Sequence, residues 1–294
     1  MKKIKYFLEF IVISFLLIIF KILGISFSLK FSGYLLRKLG PIFRSKTICN
    51  INLSIAFPEL NNSQKKIIIQ NMWYNYGKIL AEYVYINKFR NSKLSNNIII
   101  ENQDELEKIR KSSKPVIFVS GHFNNFELMA MHIEKSGIDL ATIYRPLNNK
   151  FLNSIMEKIR KKYICKNQIK KGVAGTKELL KYFKNGNSIA LMIDQRVSEG
   201  IKVELFNKQA LTTTIPAQFV KKYGAKVVPV YIERLQNNKF KIKIYSSIEF
   251  SINDSIGSIT LSLNKILEKM IRKTQINGSG HIIDGNKLTL LSFF

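Results

Sequence analysis

The stretch "PVIFVSGHFNNFELMAMHIEKSG", residues 115–137, sets the frame for the whole chain. Its opening, Pro115 to Ser120, is a short apolar run that reads as a buried strand. From Phe126 the spacing becomes helical, and Gly137 supplies a stop. Between the two sit Gly121 and His122, with Glu127 five residues on. In one continuous helix five residues turn through about 500°, so His122 and Glu127 would point about 140° apart. They meet only if His122 occupies the strand-to-helix turn and Glu127 the first helical turn. In that arrangement the carboxylate holds one imidazole nitrogen while the other takes a proton from an attacking hydroxyl. The free N–H groups of the helix start lie beside the reacting centre. No Ser or Cys nucleophile is required when the substrate supplies the hydroxyl. Spacing alone leaves a plainer reading open, a turn histidine that only hydrogen-bonds the backbone.

Working outward, strands and helices alternate. Residues 62–86 have helical periodicity, with Asn62 or Ser63 as N-cap. Residues 139–144 read as a strand, 149–163 and 175–186 as helices, and 188–194 as a buried strand. A short helix over 215–224, strands over 226–233 and 239–245, and a helix over 255–272 follow. The pattern predicts an α/β fold: a single domain over residues 31–273, its central sheet largely parallel and flanked by helices. Functional groups are expected at the carboxyl ends of the strands.

The amino-terminal segment "MKKIKYFLEFIVISFLLIIFKILGISFSLK" has a basic start and an unbroken apolar run from Phe10 to Phe20. That run is too short for a span of about 20 residues, but Ile4 to Phe27 is long enough, interrupted by Lys5, Glu9 and Lys21. No small-x-small cleavage site follows it, so residues 1–30 are expected to be an uncleaved membrane anchor rather than a signal peptide or a buried helix. Lysines and arginines flank both sides almost equally, so charge does not set the orientation.

The 294 residues carry 47 Lys and Arg against 20 Asp and Glu, a formal net charge of +27. Such a surface suits an anionic partner: nucleic acid, anionic lipid or an acidic carrier protein. Nothing resembles a nucleic-acid recognition motif, and the apolar amino terminus argues against that partner. Cys49 and Cys165 offer neither a disulfide framework nor metal-ligand spacing, and no cluster reads as a metal site. His132, on an apolar helical stretch, reads as packing.

The segment "GHFNNFE" with its flanking strand and helix resembles the H-x4-(D/E) box of the lysophospholipid acyltransferase superfamily. More narrowly it resembles the lipid A late acyltransferases, the lauroyl and myristoyl transferases of Gram-negative bacteria. The likeness runs from about residue 50 to 273. "NLSIAFPEL" (52–60) is similar to the segment ahead of the site; "YRPLNN" (144–149) and "EKIRKKY" to the stretch bearing an essential arginine, here Arg160. "MIDQ" (192–195), Gly200, Phe206 and "ALTTTIPAQFV" are similar to a block whose aspartate falls on Asp194, and "VVPV" (227–230) to a fourth. The box usually reads Gly-Asn-Trp before the acid, where this chain has Asn124, Asn125 and Phe126.

The resemblance implies acyl transfer from an acyl carrier protein thioester to a hydroxyl of a phosphorylated lipid A precursor, at the inner membrane with the catalytic domain facing the cytoplasm. It implies His122 as general base with Glu127 orienting it, and Arg160 meeting an oxyanion or a substrate phosphate. Asp194 would support the site or pair with Arg160. Arg145, Asn125 and Gln195 are candidate substrate-binding residues, and no cofactor or metal is expected. A glycerophospholipid acyltransferase uses the same box, but its usual Glu-Gly-Thr-Arg block is absent. A lipid-binding pseudoenzyme is the non-enzyme alternative.

That alternative comes from the tail, residues 274–294. Relatives in the resembled family end in an aromatic, basic helix of the type W-x-W-x-H-x-R-W; this chain instead has Gly278, Gly280 and Gly285. With suitable synonymous codons, a shifted frame from Thr274 to Lys287 reads PNQWIWTHNRWK and then stops, which places tryptophans at those three glycines. A frameshift near Lys273 is therefore expected, against the plainer reading of a divergent terminus. The codons of Asn277, Ser279 and Asp284 must end in T for it to hold.

Overall fold

The computed structural model describes residues 2–43, 46–112 and 114–276. The expected aberrant tail, save its first three residues, lies outside them.

Two helices open the chain, α1 (Lys2–Leu23) and α2 (Ile25–Phe43). Gly24, at φ +77°, makes the break between them in a region that favours glycine. Residue 30, where the anchor was expected to end, lies inside α2. Then come α3 (Lys46–Ala56) and the long α4 (Asn62–Asn91). The N-cap of α4 is Asn61 rather than Asn62 or Ser63. Its side chain accepts from Gln64 N, and the Gln64 side chain accepts from Asn61 N, each at 2.9 Å.

The domain continues with β1 (Ile98–Glu101), α5 (Gln103–Ser112), β2 (Ile117–Ser120), α6 (Glu127–Lys135), β3 (Leu140–Tyr144), α7 (Lys150–Tyr163), β4 (Asn167–Lys170) and α8 (Val173–Lys184). It closes with β5 (Ser188–Met192), β6 (Ile201–Leu205), β7 (Lys208–Thr212), α9 (Ile215–Tyr223), β8 (Val227–Arg234), β9 (Phe240–Ile244) and α10 (Ile256–Ile276). Seven strands form one sheet in the order β1-β9-β8-β2-β5-β3-β4. All neighbours pair in parallel except β8 with β9, so β9 and β1 run against the other five. This is the expected fold class, with the β6–β7 hairpin added to it. The central strand β2 is buried throughout and apolar up to Ser120, as a strand covered on both faces must be.

Helix α4 forms much of the wall behind the site and packs on α2. Gly77 of α4 lies so close to the Ser32 and Gly33 backbone of α2 that no side chain fits between them. The core runs from this wall through the sheet to α10, where Ile259, Leu263 and Leu267 are buried.

Candidate active site

The site forms where β2 and β5 end. Ser120 pairs with Met192 in parallel register, so the residues two further along each chain, His122 and Asp194, arrive side by side. Asp194 Oδ1 lies 2.8 Å from His122 Nδ1, and its Oδ2 accepts the His122 backbone N–H at 2.7 Å. One buried carboxylate thus fixes both the ring and the main chain of the histidine. Gly121 permits this approach, since a Cβ there would sit 3.1 Å from Asp194 Oδ2 and 3.0 Å from the Phe123 ring. The His122 ring is further held edge-to-face by Phe126, with centroids 4.7 Å apart. Nδ1 is committed to the carboxylate, so Nε2 is the nitrogen left to exchange a proton.

His122 stands in the strand-to-helix turn and Glu127 opens α6, as expected, but the expected contact between them is not the one formed. Glu127 turns inward instead. Its Oε1 accepts from Arg160 Nε at 2.8 Å, from Arg160 Nη2 at 2.6 Å and from the Tyr83 hydroxyl. Arg160 Nη2 also donates to Tyr83 at 3.1 Å. The physical reason is burial: an ionised carboxylate this deep requires a charge-assisted partner, and α7 and α4 bring one each side. Burial works against the Arg160 charge, but Glu127 and Tyr83 more than offset it and hold the guanidinium above the ordinary arginine value. Burial, then the Glu127 carboxylate, pushes the Tyr83 phenol well up, so it stays a neutral donor. Among the described residues the anion that Arg160 pairs with is Glu127, and the alternative of Asp194 pairing with Arg160 gives way to Asp194 on His122.

Asn125 corrects a second expectation. It is almost fully buried, and its amide donates to Glu82 of α4 at 2.8 Å. Glu82 is itself paired with Arg234 at the end of β8. Asn125 therefore belongs to the wall of the site and does not present its amide to a substrate. Its neighbour Asn124 sits at φ +44°, a left-handed conformation that asparagine adopts more readily than most residues.

His122, Glu127 and Arg160 line a cavity of about 580 Å³. Its inner walls are apolar, built from Met129, Ala130 and Ile133 of α6, Ile143 of β3 and Ala190 of β5. Its lining also includes the exposed Arg145, at the end of β3, and Lys171, together with the half-buried Gln195. Two of the three expected substrate-binding residues thus face the cavity. Tyr83, Glu82 and Arg234 were not anticipated; the one sequence signal was an acid inside the apolar run "ILAEYVYI" of α4.

This arrangement can hold an apolar chain beside a histidine base, with cations where anionic groups would enter. Among curated proteins, the chain is 24% identical over 120 residues to lipid A biosynthesis acyltransferase 2 of Shigella flexneri. That alignment covers 41% of this chain and 38% of the relative's length. Among solved structures, it is similar to the 1-acyl-sn-glycerophosphate acyltransferase PlsC of Thermotoga maritima, with a TM-score of 0.40 and 14% identity over 84% of this chain and 95% of that one. Residues 1–275 match the bacterial lipid A biosynthesis acyltransferases. With all but the final residues inside that match, the chain belongs to the bacterial lipid A biosynthesis acyltransferase family.

Proposed function

We propose that this protein moves a fatty acyl chain from an acyl carrier protein thioester to a hydroxyl of a phosphorylated lipid A precursor, working at the inner membrane from its cytoplasmic side. The observation that carries the reading is the His122–Asp194 pair standing at an apolar cavity in a chain of this family.

The acyl chain lies in the cavity against Met129, Ala130 and Ile133 of α6, which places its thioester carbonyl by His122. The acceptor hydroxyl approaches His122 Nε2, which takes its proton as the oxygen attacks the carbonyl carbon. Asp194, held on Nδ1–H, stabilises the imidazolium that forms. The tetrahedral adduct collapses, the C–S bond breaks, and the thiol of the carrier leaves with the proton from His122. An ester and a free carrier thiol result. Glu127, Arg160 and Tyr83 fix the first turn of α6 and hence the histidine turn before it. Arg145 and Gln195 meet the acceptor's polar head, and the net charge of +27 favours both an acidic carrier and an anionic lipid.

Purified protein offered an acyl carrier protein thioester with either a lipid A precursor or lysophosphatidate tests this. Acylation of the lipid A precursor, lost in His122→Ala, is the expected result. Transfer to lysophosphatidate alone would make the protein a glycerophospholipid acyltransferase, and lipid binding without transfer would make it a pseudoenzyme.

A further inference from the structure

Helix α8 starts at the mouth of the cavity. Tyr144 and Lys170 pair in the parallel register of β3 and β4, and the Lys171 N–H donates to the Tyr144 carbonyl at 2.8 Å. Arg145 and Lys171 therefore leave neighbouring strands together, and α8 follows two residues later. Gly175 seats its first turn, since a Cβ there would lie 1.9 Å from the Lys170 carbonyl oxygen. Leu179 and Phe183 hold the rest of the helix down, and the Phe183 ring meets Phe219 of α9 edge-to-face with centroids 5.0 Å apart. Val173, Thr176 and Lys177 of α8 line the same cavity as His122.

The outward face of α8 carries one sign of charge. Val173, Lys177, Lys181 and Lys184 follow at steps of four, four and three residues, which confines them to about 80° of the helix circumference. All four are exposed, Val173 at 77%, and the buried Gly175, Leu179 and Phe183 point the other way. The row runs for about 16 Å from the mouth. Among the described residues none of the three lysines is in an ion pair, whereas Lys170 close by is paired with Glu157 at 3.3 Å. The single acid of the helix, Glu178, stands about 100° round from Lys177. Like charges three and four residues apart weaken a helix. The helix dipole favours Lys181 and Lys184 in the last turn but not Lys177 near the start. Folding alone does not account for the row.

We infer that this outward face of α8 is the docking face for the acyl carrier protein. The inference rests on the proposed function, which calls for that acidic protein as donor, and deepens it by giving the partner a place. Charge complementarity selects the occupant: a row of unpaired ammonium groups beside the mouth matches the carboxylates of an acidic protein, and rim charges of this kind steer encounter and fix register. Val173 offers an apolar contact where the row meets the mouth, the point at which the carrier's acyl arm enters. From there the arm passes Lys171 and Lys177 and reaches His122 within one cavity. An anionic membrane is the other partner such a row could meet, but the row points away from the most apolar surface. The apolar α1 packs through Phe7 and Phe10 on Phe151 of α7. The steps from β3 to β4 and from β4 to β5 run in opposite directions across the sheet, which puts α7 and α8 on opposite faces of it.

The test titrates full-length protein in detergent micelles with a fluorescent acyl carrier protein whose acyl chain is joined by a non-hydrolysable amide. Lys177→Glu with Lys181→Glu and Lys184→Glu is expected to weaken binding by about tenfold or more, and the wild-type affinity should fall with added salt. Lys66→Glu with Lys93→Glu and Lys111→Glu, three exposed lysines away from α8, makes the same change in net charge and should keep most of the wild-type affinity. Glutamine at the three α8 positions should give an intermediate loss, and it keeps the test valid if the glutamates unfold the helix. Equal losses in the two glutamate variants would assign the effect to net charge and overturn the inference, as would undiminished binding in the α8 variant. An α8 variant that loses binding to phosphatidylglycerol vesicles but keeps the carrier would assign the row to the membrane and overturn it too. A wild type that binds the carrier through α8 yet acylates neither acceptor would sink the proposed function and leave the docking face standing. Transfer from the carrier thioester at the wild-type rate and affinity in the α8 variant would do the reverse.

Discussion

Two residues past the paired Ser120 and Met192, the imidazole of His122 and the carboxylate of Asp194 meet at 2.8 Å. The pairing makes Asp194, rather than Glu127, the group that selects the histidine tautomer. Asp194→Asn keeps the shape but removes the charge that stabilises the imidazolium, so acyl transfer is expected to fall by about 10²-fold or more. His122→Ala should lose at least as much. The double variant should be little worse than His122→Ala alone, since the two act as one unit. Steady-state rates with the carrier thioester check this; additive losses would separate the two residues.

Glu127 and Arg160 form a different kind of unit, a buried ion pair closed by Tyr83. Arg160→Ala strands a buried carboxylate and is expected to cost about 3 to 5 kcal/mol of stability. Adding Glu127→Gln to Arg160→Ala should return part of that loss, because no charge is then left unpaired. Arg160→Lys should still impair the protein, since an ammonium cannot reproduce the paired Nε and Nη2 contacts to one oxygen. Denaturant midpoints of the three variants decide it. An Arg160→Ala protein as stable as the wild type would place the guanidinium in water.

The local part of this site was legible in the sequence, and the non-local part was not. Strand, glycine, histidine and helix follow one another within residues 115–137, so their order alone placed His122 in a turn and Glu127 on the first helical turn. The partner of His122 depends on β5 lying next to β2, although β3 and β4 come between them in sequence. No spacing within the chain states that. Tyr83 and Glu82 reach the site from α4, more than forty residues upstream, for the same reason. The β6–β7 hairpin was missed because its turn is Phe206-Asn207, at φ +50° and +57°. That two-residue turn needs positive φ at both positions, which Asn-Gly advertises and phenylalanine conceals. The α4 helix starts at residue 62 as expected, but its N-cap was misplaced by one or two residues, although Asn61 and Gln64 have the spacing of a capping box.

His132 gives a pH dependence independent of catalysis. Burial, then the charges of Lys135 and Arg90, lowers its pKa to about 4, and its Nε2 has no hydrogen-bond partner among the described residues. Between pH 4 and the ordinary value of about 6.5 the unfolded chain therefore binds more protons than the folded one. Stability from this residue is present above 6.5 and is lost as the pH falls towards 4. Between pH 7 and pH 5 the wild type should lose about 1 to 2 kcal/mol more than His132→Leu, which neither titrates nor leaves a polar nitrogen unpaired. Urea midpoints at the two pH values measure it. Parallel losses in the two proteins would show that His132 gains a proton without strain.

The contact between α2 and α4 sets two expectations against each other at Gly77. Helix propensity alone says that alanine in the middle of α4 should stabilise it by about 0.8–1.0 kcal/mol. The structure says otherwise, because a Cβ there would overlap the carbonyl oxygen of Ser32 and crowd the Gly33 Cα, both backbone atoms that cannot swing aside. Overpacking of this kind costs about 1–3 kcal/mol and would push α2 off the domain. Gly257, in the first turn of α10, is the control, since a Cβ there would meet only the Ser255 hydroxyl, at 3.6 Å. Gly77→Ala is expected to lower the melting temperature and to make residues 25–43 easier to cleave by protease, whereas Gly257→Ala should leave the melting temperature unchanged or raise it. A Gly77→Ala protein as stable as Gly257→Ala would mean that α2 does not pack on α4 as described.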